Sequence, residues 1–171
     1  KNMGIAKTVN ISGIALTGTD AGNYTFNTTA ATTADITARG LTVTATGVNK
    51  VYDGLTGAIV TLADDHVAGD SLTTAYGSAA YLDKNVGTGK TVNVSGITLT
   101  DTDAGNYTFN TTAATTADIT ARALNVTATG VNKVYDGLTG ATVTLADNRV
   151  TGDVLSLGGS ASYLDKNVGI A

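Results

Sequence analysis

The chain has no cysteine, no proline, no tryptophan and no glutamate. Without cysteine there can be no disulfide, no thiolate metal site and no cysteine nucleophile. The acidic residues are all Asp, and Lys and Arg together number 10 against 14 Asp, with no basic cluster. Phosphate binding needs concentrated positive charge, so a nucleic-acid partner is not expected. No apolar run approaches the roughly 20 residues of a membrane-spanning helix. Direct membrane insertion is therefore not expected either. No charged-then-apolar leader opens the sequence at Lys1, and any export signal is expected to lie outside it. Apolar residues make up 42% and charged residues 14%, which excludes a disordered tail. Good helix formers are scarce or missing, whereas there are 33 Thr and 21 Gly. Thr, Val, Ile and Tyr favour strands, and the fold class expected is all-β.

The sequence repeats itself every 83 residues. Asp20–Thr29 returns letter for letter as Asp103–Thr112, and Val48–Gly57 returns as Val131–Gly140. Asp83–Gly87 returns as Asp165–Gly169, with one residue lost between Gly152 and Tyr163. Near-identical tandem units suit a protein whose task depends on length and copy number.

Within a unit, Leu41–Thr46 alternates apolar and polar residues with period two, as does Leu124–Thr129. This is the pattern of a half-buried strand, with Leu41, Val43 and Ala45 on the inward face and threonines on the other. Ala58–Leu62 reads as a second strand with Ala58, Val60 and Leu62 inward, separated from the first by a Tyr-Asp-Gly turn. Leu72–Leu82 gives one or two weaker strands broken near Gly77. In Thr91–Thr100 the apolar phase slips at Ser95–Gly96, and a β-bulge there would return Ile97 and Leu99 to the core. The first copy repeats the device at Ser12–Gly13. Tyr107–Phe109 and Ala117–Ala121, the latter with Ala117, Ile119 and Ala121 inward, complete about seven short strands per unit, the number of a β-sandwich.

Asp103-Ala-Gly-Asn-Tyr107-Thr-Phe109 and its copy Asp20–Phe26 have the form of the tyrosine corner of immunoglobulin-like domains. There the Tyr hydroxyl bonds upstream backbone and the residue two further on enters the core. The fold expected is therefore a tandem array of immunoglobulin-like β-sandwiches. If Tyr107 opens the penultimate strand, a complete repeat runs over 40–122. Residues 1–39 are then the C-terminal part of one repeat, and 123–171 the N-terminal part of another. Half-sandwiches expose core and strand edges. Either the sequence is a window on a longer repetitive polypeptide, or the end of one chain completes the beginning of the next by strand complementation.

The stretch 41–54, Leu-Thr-Val-Thr-Ala-Thr-Gly-Val-Asn-Lys-Val-Tyr-Asp-Gly, resembles the start of the YDG domain of bacterial surface proteins. Asp83–Val92, Ser95–Leu99, Asp103–Tyr107 and Thr116–Thr120 carry the same resemblance, which covers essentially the whole chain. Leu55 and Leu138 depart from it, standing where Thr is common. These domains, with the related MBG repeats, occur in arrays in filamentous-haemagglutinin-like adhesins. The resemblance implies a secreted or cell-surface stalk segment and no enzymatic activity.

The chemistry sought along the chain points the same way. The one His, His66, is replaced by Arg149 in the next copy, which does not fit a general base. No cofactor is called for. Ca²⁺ would suit two Asp-rich loops, Asp64/Asp65/Asp70 and Asp101/Asp103/Asn106, but Asp65 becomes Asn148, Asp101 corresponds to Gly18, and turn Asp is the simpler reading. An isopeptide crosslink at Lys50 and Asp53 would require burial that a strand end does not offer. Asn-X-Ser/Thr triplets occur at Asn10, Asn23, Asn27, Asn93, Asn106, Asn110 and Asn125. Asn27, Asn110 and Asn125 are the glycosylation candidates. The function expected is a stiff extracellular spacer or fibre, whose partners are neighbouring repeats or identical subunits. The alternative is a repeated module that binds a surface glycan or host receptor by avidity through Tyr52, Tyr76 and Tyr81.

Overall fold

A computed structural model describes residues 1–169, and the fold is all-β. Fifteen short strands follow in order: β1 (Gly4–Ser12), β2 (Thr29–Ile36), β3 (Arg39–Leu41), β4 (Val43–Val48), β5 (Lys50–Val51), β6 (Ile59–Asp64), β7 (Thr73–Ala75), β8 (Ser78–Tyr81), β9 (Gly87–Ser95), β10 (Thr98–Thr100), β11 (Tyr107–Phe109), β12 (Thr112–Thr120), β13 (Val126–Val131), β14 (Gly140–Asp147) and β15 (Ala161–Ser162). The Asp-Ala-Gly-Asn segments form single 3₁₀ turns at Ala21–Asn23 and Ala104–Asn106.

β12 is the hub of the middle repeat. It pairs antiparallel with β9, which pairs with β8, while β5 adds in parallel at its far edge, giving the order β5-β12-β9-β8. β4 and β6 form an antiparallel pair packed on β12, β7 pairs with β10, and β11 runs parallel to β3. β4 approaches β12 at Gly47, where an added Cβ would lie 2.6 Å from the Thr116 carbonyl oxygen. The alternation read from the sequence is what buries one face of these strands. Leu41, Val43, Val60, Val92, Val94, Ala117 and Ile119 point inward with Ala79, Tyr81, Ile97 and Tyr107. Every fully buried apolar residue among the described residues lies between Leu41 and Ile119.

Two expectations change. The phase slip at Ser95–Gly96 is a change of sheet and not a bulge: β9 ends at Ser95, Gly96 turns the chain at φ +67°, and β10 leaves to pair with β7. Only a residue free of Cβ strain makes that turn cheaply. Ala121 is exposed, because β12 ends at Thr120 and the chain then leaves the sheet.

The flanking copies use the same sequence without the same burial. β1 and β2 form a hairpin in the register of β9 and β12, yet Ile11 and Ile36 are exposed where Val94 and Ile119 are buried. β13 and β14 repeat the β4–β6 pairing, with β15 added, and Val126 is exposed where Val43 is buried. Tyr24–Phe26 forms no strand, whereas its twin β11 is held by β3.

Candidate functional site at the joint between repeats

The Tyr-Asp-Gly turn is shaped by a buttress that occurs twice. Lys50 Nζ donates to Asp53 Oδ1 at 2.8 Å and to the carbonyls of Leu55 and Gly57 at 2.8 and 2.9 Å, and it stands 5.6 Å from the centre of the Tyr81 ring. Lys133 does the same with Asp136, Leu138, Gly140 and Tyr163. Asp53 is held below the usual carboxylate range by Lys50 and then by the Leu55 N–H. Three acceptors on one ammonium fold the loop back on itself, and Gly54 completes it at φ +80°. Lys50 and Asp53 therefore form an ion pair at a turn.

The turn presents Tyr52, whose N–H donates to the Thr120 carbonyl at the end of β12. The Tyr52 hydroxyl lies 2.8 Å from both oxygens of Asp153, in the following repeat. Lys84 Nζ donates to Asp153 Oδ1 at 2.8 Å and stands 5.7 Å from the centre of the Tyr52 ring. Beside them Val150 packs on Gly54, where a Cβ would come within 2.7 Å of Val150 Cγ1. One repeat thus supplies Tyr, Lys and a bare glycine surface, and the next supplies the Val and Asp of a tight Val-Xaa-Gly-Asp loop. The preceding joint repeats the ion pair: Lys1 contacts Asp70 and lies 3.3 Å from Asp103, and the Met3 N–H donates to Asn106. Lys1 and Lys84, like Asp70 and Asp153, are 83 residues apart.

Tyr107 anchors the receiving loop. Its hydroxyl accepts from the Val67 N–H at 3.0 Å and donates to Asp70 at 2.7 Å. The partners lie about 40 residues upstream, so the hydroxyl spans from β11 to the loop after β6. Burial and then Asp70 push its pKa up, while Lys1 and then Tyr107 push that of Asp70 down. Phe109 packs on the core, and Asp103 accepts from the Ser71 N–H. In the first copy Tyr24 and Phe26 are exposed, and neither Asp20 nor Asp103 makes a side-chain capping bond. Tyr107→Phe is expected to speed hydrogen exchange at the Val67 amide by about tenfold, since one hydrogen bond is lost. Tyr24→Phe leaves exchange unchanged; NMR exchange rates for both variants check this.

The remaining candidates are each occupied in their own way. The Asn110 side chain accepts from the Val43 N–H and donates to the carbonyls of Val43 and Thr112, so a glycan there would break strand-like bonds. The Asn27 amide donates to Thr29, and the Asn125 side chain is exposed with no partner among the described residues. Asp64 is within hydrogen-bonding contact of the His66 ring, and Asp147 accepts from the Arg149 guanidinium, so His and Arg interchange as ring or guanidinium N–H partners of the equivalent carboxylate. Asp65 accepts from the Thr42 N–H and Asp101 from the Thr73 hydroxyl. Among the described residues no three metal-ligating acidic or His side chains converge. Of the tyrosines weighed for binding, Tyr81 is buried, the half-buried Tyr76 hydroxyl is near the Val60 N–H, and Tyr52 lies in the joint.

The almost linkerless stretch 119–124 predicts a stiff connection, but sequence reasoning missed the side chains that meet across it. Val-Xaa-Gly-Asp recurs at 67–70 and 150–153, and Lys-Asn recurs at 1, 84 and 166. The recurrence was visible, but nothing in it says that the Lys of one unit meets the Asp of the next. The family described as YDG domain matches residues 37–116 and again 120–171. No curated protein and no solved structure matches the chain.

Proposed function

The chain belongs to the YDG domain family, and we propose that it is a structural stalk or filament repeat of a secreted or surface-anchored bacterial adhesin, built from immunoglobulin-like sandwiches in an extended array. The observation that carries this reading is the recurrence of one ion pair, Lys1–Asp70 and Lys84–Asp153, at successive joints. An ion pair repeated at the period of the sequence joins the same lysine and carboxylate positions at both boundaries, as a spacer of defined length requires. Just five residues, 121–125, separate β12 from β13. Short connections leave neighbours little independent freedom. The placing of Tyr52 and Tyr81 within joint and core favours the spacer over a binding module acting by avidity. Among the described residues no helix is long and apolar enough to cross a membrane.

The joint carries its own pH dependence. Asp153 is held below the ordinary carboxylate value of 3.8 by Lys84 and then by the Tyr52 hydroxyl. A lowered pKa contributes stability that is complete above 3.8 and is lost as pH falls through the lowered value. Lys84 is raised from 10.5 to about 12 by Asp153 and then Tyr52, so its contribution holds below 10.5 and is lost as pH rises through about 12. The joint is expected to be stiff across neutral pH and to loosen at both extremes. Small-angle scattering should show a broader range of shapes at low pH, and Asp153→Ala should reproduce that at neutral pH. Scattering unchanged by both would sink the proposal.

A further inference from the structure

Of the 14 Asp in the chain only Asp53 and Asp136 stand before a glycine, and no Asn does. In an Asp-Gly pair the side-chain carboxyl closes readily on the next peptide nitrogen, because glycine brings no Cβ to hinder the approach. The Gly54 nitrogen attacks Asp53 Cγ and loses its proton, and a carboxyl oxygen leaves as water. A succinimide ring results. Water then adds to either ring carbonyl, and opening at the Asp53 main-chain carbonyl carries the backbone through Cβ and Cγ as an isoaspartate. One water leaves and one returns, so no other reactant is needed. Closure requires an unhindered nitrogen, a neutral carboxyl and freedom for that carboxyl to swing over the nitrogen.

The Tyr-Asp-Gly turn supplies the first and withholds the other two. The Gly54 N–H makes no hydrogen bond among the described residues, and the Asp53 side chain is 49% exposed, so water is at hand. Yet Asp53 Oδ1 accepts from Lys50 Nζ at 2.8 Å and from the Leu55 N–H at 2.9 Å. Two donors on one oxygen fix the rotation of the carboxyl, and the ammonium keeps it ionised, with no hydroxyl to leave. Lys50 is itself held by the Leu55 and Gly57 carbonyls, and its side chain is 17% exposed. Lys133 and the Leu138 N–H hold Asp136 in the same way. Both cyclisation-prone pairs of the chain thus stand under a lysine three residues upstream.

We propose that Asp53–Gly54 is a site of isoaspartate formation that the Lys50 ammonium holds closed, and that Lys133 does the same at Asp136–Gly137. The rearrangement matters because Asp53 lies between the two residues of the turn that make the joint. Tyr52 reaches Asp153 on one side of it, and Gly54 lies against Val150 on the other. An isoaspartate adds one backbone atom between them and takes the carboxylate away from Lys50 and Leu55, so the joint loosens. This consequence, unlike the site itself, rests on reading the Tyr52–Lys84–Asp153 contact as the connection of the array.

Ageing the 171-residue chain at neutral pH, with isoaspartate counted by peptide mapping at residues 53 and 136, tests this. An isolated peptide of sequence 51–57 is the reference. The parent protein is expected to convert Asp53 at least about tenfold more slowly than the peptide, since a charged hydrogen bond disfavours the reacting form by that order. Lys50→Gln should restore most of the peptide's rate at Asp53 and leave Asp136 unchanged, and Lys133→Gln should do the reverse. An unchanged near-ultraviolet signal from buried Tyr107 verifies the fold. A parent protein that ages as fast as the peptide overturns the proposal without any variant. Lysine variants that age no faster than the parent overturn it too, as does a rise at both sites in each single variant, which traces the protection to the whole fold. Scattering from aged Lys50→Gln protein is expected to broaden as isoaspartate accumulates. Isoaspartate at residue 53 with unchanged scattering upholds the site and refutes the joint as the connection of the array.

Discussion

Ile119→Ala is expected to lower the stability of the middle repeat by about 2–5 kcal/mol, and Ile36→Ala by no more than about 0.5 kcal/mol. The two residues have the same neighbours in sequence, Ala-Asp-Ile-Thr-Ala. Ile119 is 1% exposed on β12, the strand that carries β9 and β5 and faces β4, so its truncation leaves a cavity bounded by strands fixed on three sides. Ile36 is 45% exposed at the end of β2, where water already touches the side chain that would be removed. Urea unfolding followed through the near-ultraviolet signal of Tyr81 and Tyr107 measures the first loss directly. Equal costs at the two sites would mean that the first copy is packed as the second is.

Gly47→Ala should cost about 1–3 kcal/mol through overpacking, while Gly130→Ala in the next copy should be neutral or stabilising by roughly 0.5–1 kcal/mol. At Gly47 a Cβ would stand 2.6 Å from the Thr116 carbonyl oxygen and 2.8 Å from the Ala117 Cβ. Neither neighbour is the flexible end of a long side chain, so β4 has to lift from β12 and open the core at Val43 and Val60. At Gly130 nothing lies within 4 Å, and the substitution only removes backbone freedom from the unfolded chain. Thermal unfolding of the two single variants separates these outcomes. A Gly47→Ala protein as stable as the parent would show that β4 does not pack on β12 at this distance.

Much of the fold was legible because burial in strands follows a period of two. Of the residues that alternation places inward, Leu41, Val43, Val60, Ala117 and Ile119 are buried, Ala45, Ala58 and Leu62 are half-buried, and Ala121, beyond the end of its strand, is exposed. The break near Gly77 and the slip at Ser95–Gly96 were equally visible. Whether that slip was a bulge or a move to another sheet was not, because both answer to the same glycine and the same change of phase. By analogy of motif the hydroxyl of Tyr107 is expected to bond upstream backbone; it accepts from the Val67 N–H, 40 residues upstream, and the motif says nothing of its second partner, Asp70. A long-range partner leaves no mark at the position that seeks it.

The sequence by itself determined the all-β class, the 83-residue period, the inward face of the main strands and the absence of thiol chemistry. These follow from local propensity, alternation and composition, which each residue carries with it. The tertiary structure alone decided which of two identical segments is buried, since Ile36 and Ile119 differ only in what stands opposite them. It alone decided, too, that Tyr52 and Lys84 meet the Asp153 of the following repeat. That contact depends on where two loops arrive after their strands have paired, and a period in sequence cannot say across which boundary a lysine finds its carboxylate.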